Sequence, residues 1–166
     1  MDGGISIELT DDPTGAGVRL VYELAEAQFG RYRPPTHRYL LLDTAPEDPE
    51  WIPITAAIGG GTSAPQAHAL LPTFTRPYPG ALAELDRWYT HHHVPEVTAV
   101  AGFVVGRRFA HRDPGAAHPR LALYELDPDD PGAALARLTA ALPTMVQTDA
   151  LDGSSIASWL YLPVAP

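Results

Sequence analysis

The 166-residue chain contains no cysteine, no lysine and no asparagine. Without cysteine there is no disulfide, no thiolate nucleophile and no cysteine-ligated zinc. Without lysine there is no Schiff-base chemistry and no P-loop lysine. Basic residues are scarce as well: 11 Lys+Arg stand against 20 Asp+Glu, for a formal net charge of -9. Nucleic-acid binding needs a basic face, so that partner is not expected. Arg107, Arg108 and Arg112 form the one basic cluster, and three arginines make a small patch. No apolar run approaches the roughly 18 residues of a membrane span. The start, MDGGISIELTDD, lacks the basic and apolar regions of a secretory signal, so a cytoplasmic location is expected. A hydrophobic fraction of 45% with 19% charged residues fits one globular domain, or two very small ones sharing a core.

Hydrophobic periodicity supplies the elements. Residues 5 to 9 read as a short strand. Val18, Leu20, Val21, Leu24 and Ala27 fit helical spacing that ends near Gly30. Tyr39 to Leu42 reads as a buried strand, and 51 to 55 as a further short apolar segment. Residues 59 to 65, GGGTSAP, have the composition of a linker. Beyond it, 68 to 75 reads as a strand whose Pro72 implies an edge or a bulge. Gly80 opens a helix with Leu82, Leu85, Trp88 and Tyr89 along one stripe. That helix is expected to stop before Pro95, because a residue preceding proline disfavours the α conformation. In the strand 103 to 109, Phe103, Val105, Arg107 and Phe109 share one face by alternation, and Val104, Gly106 and Arg108 the other. RLALYEL (120 to 126) is the next strand. Asp130 then caps a helix begun by Pro131 and running through Leu142, and Ser155 to Val164 is the last strand.

Residues 68 to 166 therefore read as βαββαβ, an α+β, ferredoxin-like order. Such a sheet carries helices on one face only and needs cover on the other, which a second copy can supply. An internal echo bears on this cover. GRYRPPTHRYLLLDTAPEDP (30 to 49) resembles GRRFAHRDPGAAHPRLALYELDPDDP (106 to 131) in the order of its features, and WIPI at 51 resembles WLYLP at 159. Three explanations stand side by side. Residues 1 to 58 are an abbreviated copy that completes a barrel within the chain, or the echo is convergent composition, or the complete unit pairs in a homodimer. Residues 59 to 67 form the linker in each case.

The run from Leu82 to Phe109 carries a more specific pattern: Asp86, Trp88, Tyr89, His93, Pro95, Glu96, Gly102, Phe103, Arg108 and Phe109. It resembles the signature of the EthD-like family of the dimeric α/β barrel superfamily, with Ala101 where a proline is usual before the glycine. The resemblance implies a barrel enclosing a mostly apolar pocket beside the signature helix. It also implies relatives that include cofactor-free oxygenases of anthrone-like aromatics and polyketide cyclases, beside members with no assigned activity.

Among the candidate residues, His93 has an ordinary pKa near neutrality and is suited to general acid/base work; the alternative is a histidine capping the last helical carbonyls. Tyr89, one turn earlier on the same face, either donates to a substrate oxygen, orients the imidazole, or belongs to the core. Arg108 either pairs with Asp86 or stabilises an enolate or phenolate. Trp88, Phe103, Phe109, Tyr124 and Trp159 are the expected pocket walls. His91 and His92 complete a triple histidine, but consecutive helical residues diverge by about 100° and cannot converge on one ion, so no metal is expected. His37, His68, His111 and His118 fall in turns or at strand ends without a motif, and Glu96 is expected to stabilise a helix amino terminus. GGGTSA lacks the pattern of a dinucleotide fingerprint, so no flavin or nicotinamide cofactor is expected. Together these point to a cofactor-independent enzyme acting on an apolar, aromatic or polyketide-like metabolite by cyclisation, dehydration, isomerisation or cofactor-free oxygenation. The alternative is a non-catalytic barrel that binds a small molecule or scaffolds other proteins.

Overall fold

The structure, a computed structural model, describes residues 3–15, 17, 19–30 and 32–164. Four strands come first: β1 (Ser6–Thr10), β2 (Leu20–Leu24), β3 (Tyr39–Asp43) and β4 (Trp51–Pro53). After β5 (Ala69–Thr75), a helical stretch comprises α1 (Leu82–Trp88), a π-helical turn (Tyr89–His93) and α2 (Val94–Thr98). Then follow β6 (Phe103–His111), β7 (Arg120–Leu126), α3 (Pro131–Ala141), β8 (Ala157–Ser158) and β9 (Tyr161–Pro163). The β-α-β-β-α-β succession expected after residue 68 is present. Asp130 caps α3 as expected, its Oδ1 accepting the Ala133 N–H at 3.0 Å, an arrangement worth about 1 kcal/mol.

All the strands belong to one antiparallel sheet ordered β1-β3-β2-β9-β5-β7-β6-β4, with β8 beside β5. The two ends of that path meet. Ile5 and Trp51 exchange both backbone hydrogen bonds at 2.9 Å, so the sheet curls into a nearly closed barrel. Around the ring the order becomes β4-β1-β3-β2 and then β9-β5-β7-β6, which is the order fourth-first-third-second taken twice. One apolar cluster, including Ile5, Tyr22, Leu40, Trp51, Phe109 and Tyr161, fills the interior. A second lies outside the later half, between the sheet and its helices, around Leu71, Leu85, Tyr89, Val97, Tyr124 and Leu135.

Five local expectations are corrected. The helix read over 18 to 30 is strand β2, hydrogen-bonded to β3 and β9 on its two sides. Pairing on both sides overrides an apolar spacing that suits either period. Tyr22 points inward and donates its hydroxyl to the Pro65 carbonyl at 2.5 Å; Val18 and Arg31 lie outside the described residues.

Pro72 does not mark an edge, since β5 is flanked by β7 and by β8 with β9. Instead the last strand, expected unbroken from 155 to 164, is interrupted between Ser158 and Tyr161. Pro72 falls opposite that gap: Leu70 faces Tyr161 and Thr73 faces Ser158. A proline has no N–H to offer a neighbouring strand there. The released backbone is satisfied elsewhere. Leu160 N–H donates to Gln28 Oε1, and its carbonyl accepts from Ala25 N, each at 2.9 Å.

The helix does not stop before Pro95. Val94 is helical, with φ -63° and ψ -45°, and its N–H reaches back to the Tyr89 carbonyl. The wide π-helical turn accommodates a proline, which lacks the N–H that tighter winding would use.

The glycine-rich segment is an ordered strap rather than a free linker. Ile58 pairs with Gly106, and Gly61 N–H donates to the Val104 carbonyl at 3.1 Å. Glu125, buried, then accepts from Ser63 Oγ at 2.5 Å and Ala64 N at 2.8 Å, and lies 2.8 Å from His68 Nδ1. Gly59 has φ +136°, and a Cβ on it would stand 2.6 Å from the Val104 carbonyl oxygen. Gly59→Ala should therefore lower stability by about 1–3 kcal/mol, whereas at Gly60 a Cβ meets nothing within 4 Å and Ala should cost under about 0.5 kcal/mol. Urea unfolding midpoints of the two variants test the contrast.

Candidate functional site

The signature helix lies across β6 and β7, held by a charge cluster. Asp86 receives Arg120 in a bidentate pair, Nε to Oδ1 and Nη2 to Oδ2, both at 2.9 Å. Arg108 approaches the same carboxylate from below, its Nη2 2.8 Å from Oδ1, and its Nη1 donates to the Asp86 carbonyl at 3.2 Å. Burial raises the Asp86 pKa, but the two arginines outweigh it and hold the carboxyl below its ordinary value. Arg108 is only 1% exposed, and its Nε has no hydrogen-bond partner. Its guanidinium carbon sits 4.7 Å from the Tyr89 ring centre, a cation–π contact.

Gly106 makes this close approach possible. A Cβ there would meet the Tyr124 ring at 2.8 Å and Val94 Cγ1 at 2.9 Å. The helix therefore settles onto the sheet, and the π-helical turn brings Trp88, Tyr89 and His93 together. His93 stacks on Trp88 with centroids 4.5 Å apart and stands edge-on to Tyr89 at 5.2 Å. Trp88 donates its indole N–H to the Val146 carbonyl at 2.9 Å. Glu96, expected to serve a helix terminus, uses both carboxylate oxygens to accept the Val146 N–H at 3.2 Å. These contacts clamp the 145–147 segment against the helix.

Between them lies a cavity of about 390 Å³. Trp88, Tyr89 and His93 line it from the helix, Tyr32 and Thr73 from the barrel side, and Leu142, Pro143, Met145, Gln147, Leu151 and Ile156 from the carboxy-terminal segment. Among the described residues, no carboxylate and no arginine lines it. Burial, and then the nearby Arg108 charge, push the His93 pKa down to about 4. The imidazole is therefore neutral at cellular pH, against the expectation of a group that titrates there. Its Nδ1 is sealed from solvent and has no partner, which leaves Nε2 as the nitrogen that reaches the cavity. A buried N–H without an acceptor is the costlier orphan, so the ring keeps its proton on Nε2 and presents a donor. Tyr89, pushed up to about 12 by burial, is a protonated phenol. The buried Tyr124 hydroxyl, likewise shifted upward by burial, has no partner either.

The structure brings together some of the expected site residues and separates the rest. His93, Tyr89 and Trp88 line one cavity. Arg108 is behind Tyr89, occupied by Asp86 and out of the cavity's reach. A register irregularity between Phe103 and Val105 turns Phe103 to the helix side, 5.9 Å from Tyr124, while Phe109 stays on the interior side. Phe103 and Phe109, expected on one face, are thus on opposite faces. Trp159 also belongs to the interior cluster, so the five expected wall residues do not enclose one pocket. His91 and His92 are exposed, and no group of three or more potential metal ligands occurs among the described residues. The remaining histidines each have a polar partner: His37 with Tyr161, His68 with Glu125, His111 with Glu50, and His118 with the Ser155 carbonyl. Met145, Gln147 and Ile156 were not legible as site residues, because they come from an irregular segment without a motif.

No family model and no curated protein matches the chain. A solved structure described as a major regulator of staphylococcal pathogenesis resembles it with a TM-score of 0.59 at 12% identity, over 97% of this chain and 99% of that one. At that identity the likeness is one of fold: a mixed α+β chain with a nearly closed antiparallel sheet. No helix is long and apolar enough to cross a membrane among the described residues.

Two measurements test the site. Asp86→Ala leaves Arg108 buried without its counter-ion and should cost about 3–5 kcal/mol of stability, read from denaturant unfolding. His93 is neutral when folded and binds a proton in the unfolded chain below its ordinary pKa of 6.5. Its contribution to stability is complete above pH 6.5 and is lost as pH falls toward about 4. His93→Gln should flatten the stability profile across that window.

Proposed function

We propose that the chain is a ferredoxin-like α/β barrel of the EthD-like kind, with residues 1–58 as an abbreviated copy reduced to its strands and 68–166 as the complete unit. The repeated strand order around the ring supports this reading, and it favours closure within one chain over closure by a homodimer. Among the described residues, helices accompany only the second set of strands, so one helix-covered pocket is expected where a symmetric pair would have two.

The function this geometry supports best is binding of a small apolar carbonyl compound, aromatic or polyketide-like, in the cavity beside His93. One observation carries it: a neutral imidazole, stacked on Trp88, presents Nε2 to a mostly apolar cavity that holds no carboxylate. Trp88 and the aliphatic wall take the ligand's flat body, and the His93 N–H donates to its oxygen. This is the non-catalytic alternative of the sequence reading, with the chemistry of the ligand narrowed. With a pKa near 4 and its proton on Nε2, His93 is a poor base, and the cavity offers no better one.

A catalytic reading is favoured by a separate observation, the Arg108 cation under the Tyr89 ring. Its field stabilises an enolate formed in the cavity, and that anion in turn raises the proton affinity of His93. Under this reading the imidazole carries its own proton on Nδ1 instead, and the freed Nε2 takes the substrate's proton, in a cofactor-independent isomerisation, cyclisation or oxygenation.

Anthrone, an enolisable aromatic ketone, distinguishes the two. Binding should shift the His93 ring resonances, and His93→Phe should weaken binding on the order of 10-fold, equivalent to about 1.4 kcal/mol. Recovery of unchanged anthrone supports the binding role, and conversion to product supports the catalytic one. If neither anthrone nor a panel of aryl ketones moves the His93 resonances, the cavity has another use.

A further inference from the structure

A second concavity lies on the other side of the sheet, at the mouth of the barrel. It measures about 360 Å³, and Ile7, Leu9, Trp51, Phe74 and Trp159 give it apolar and aromatic walls. It continues into a neighbouring concavity of about 410 Å³ whose character is different, lined by Arg33, Thr36, Arg76, Ser154 and Ser155. The two share Ala117, His118, Ala157 and Trp159 as a common wall. Together they form one groove, apolar at the barrel mouth and hydroxyl- and arginine-lined at its far end.

The geometry of the junction is built rather than incidental. The Trp159 indole N–H donates to the Arg33 carbonyl at 2.9 Å, which fixes the Arg33 loop beside the aromatic wall. His37 packs edge-on to the same indole at 5.0 Å. His118 Nε2 lies 2.8 Å from the Ser155 carbonyl and therefore donates to it, which holds the shared wall to the serine-bearing turn. Arg76 is paired with Asp152 at 2.7 Å and donates its backbone N–H to no solvent group but to Ser155 Oγ at 2.9 Å. Arg33 has no ion-pair partner among the described residues. In a chain of net charge -9, an arginine without a carboxylate at the end of an apolar groove is complementary to an anionic group.

We propose that this groove is a second ligand site, separate from the His93 cavity, that takes an amphipathic carboxylate with its apolar body at the barrel mouth. Trp51, Phe74 and Trp159 cover the body, and Arg33 receives the carboxylate; the Ser154 and Ser155 hydroxyls are already engaged by Asp152. Glu50 lies at the opposite end beside His111, at 3.0 Å, and repels the anion from that end. The polarity of the groove therefore sets one orientation of the ligand.

Dodecanoate, dodecanol and dodecyltrimethylammonium, each below its micelle concentration, share one apolar chain and differ in the head group. Calorimetry with the full chain should give dodecanoate the tightest binding, at least about 10-fold over the ammonium analogue. NMR should show His118 ring shifts with dodecanoate and leave the His93 ring unmoved. Arg33→Glu, an exposed change with little risk to folding, should weaken dodecanoate at least about 10-fold and leave dodecanol unchanged. Ala117→Trp, on the shared wall, should weaken both. Equal binding of the anionic and cationic heads, an unchanged dodecanoate affinity in Arg33→Glu, ligand shifts centred on His93, or no binding at all would overturn the proposal.

Discussion

One carboxylate organises the later half of this protein. Asp86 is shared by Arg120 and Arg108, and those arginines stand on adjacent strands while Asp86 stands on the helix above them. Neither arginine can be buried there without it, because a guanidinium removed from water and left unpaired is far costlier than a paired one. The contact therefore sets how the helix lies on the sheet. Gly106 sets how closely, by withholding a side chain under Val94. The stacking of Trp88 on His93, the clamp on Val146 and the cavity beneath are consequences of that placement.

Much of the later half was readable in the sequence because its elements are local. The helix cap at Asp130 and Pro131, the strands at 69 to 75 and 120 to 126, and the order of helices and strands each rest on signals within a few residues. The Asp86–Arg108 pair was also visible, as a charged couple twenty-two positions apart on neighbouring elements. The first half was less legible. Its five-residue strands are too short for period to separate helix from strand, and Leu20 to Leu24 is decided only by β3 and β9 on its flanks. Phe103 fails for a different reason: one irregular step in a strand reverses the facing of everything beyond it, and alternation carries no warning of such a step.

The candidate site shows the same division. Trp88, Tyr89 and His93 come from one helix, and their grouping follows from its winding. The opposite wall comes from Leu142 to Ile156, whose position depends on contacts with residues some fifty positions away. The electrostatics also escaped the sequence. A histidine beside aromatics suggests a proton shuttle near neutrality, yet desolvation and the Arg108 cation displace it well into the acidic range. Spacing alone cannot report either influence.

The strap from Ile58 to His68 bears on how this chain is to be understood as a unit. Gly59 and Gly61 lie against the β6 backbone, and the strap's polar groups converge on the buried Glu125. What joins the two halves is thus itself a piece of wall. A protease would find no slack chain at the midpoint. The halves resemble one another in strand order, and the strap joins them into one wall.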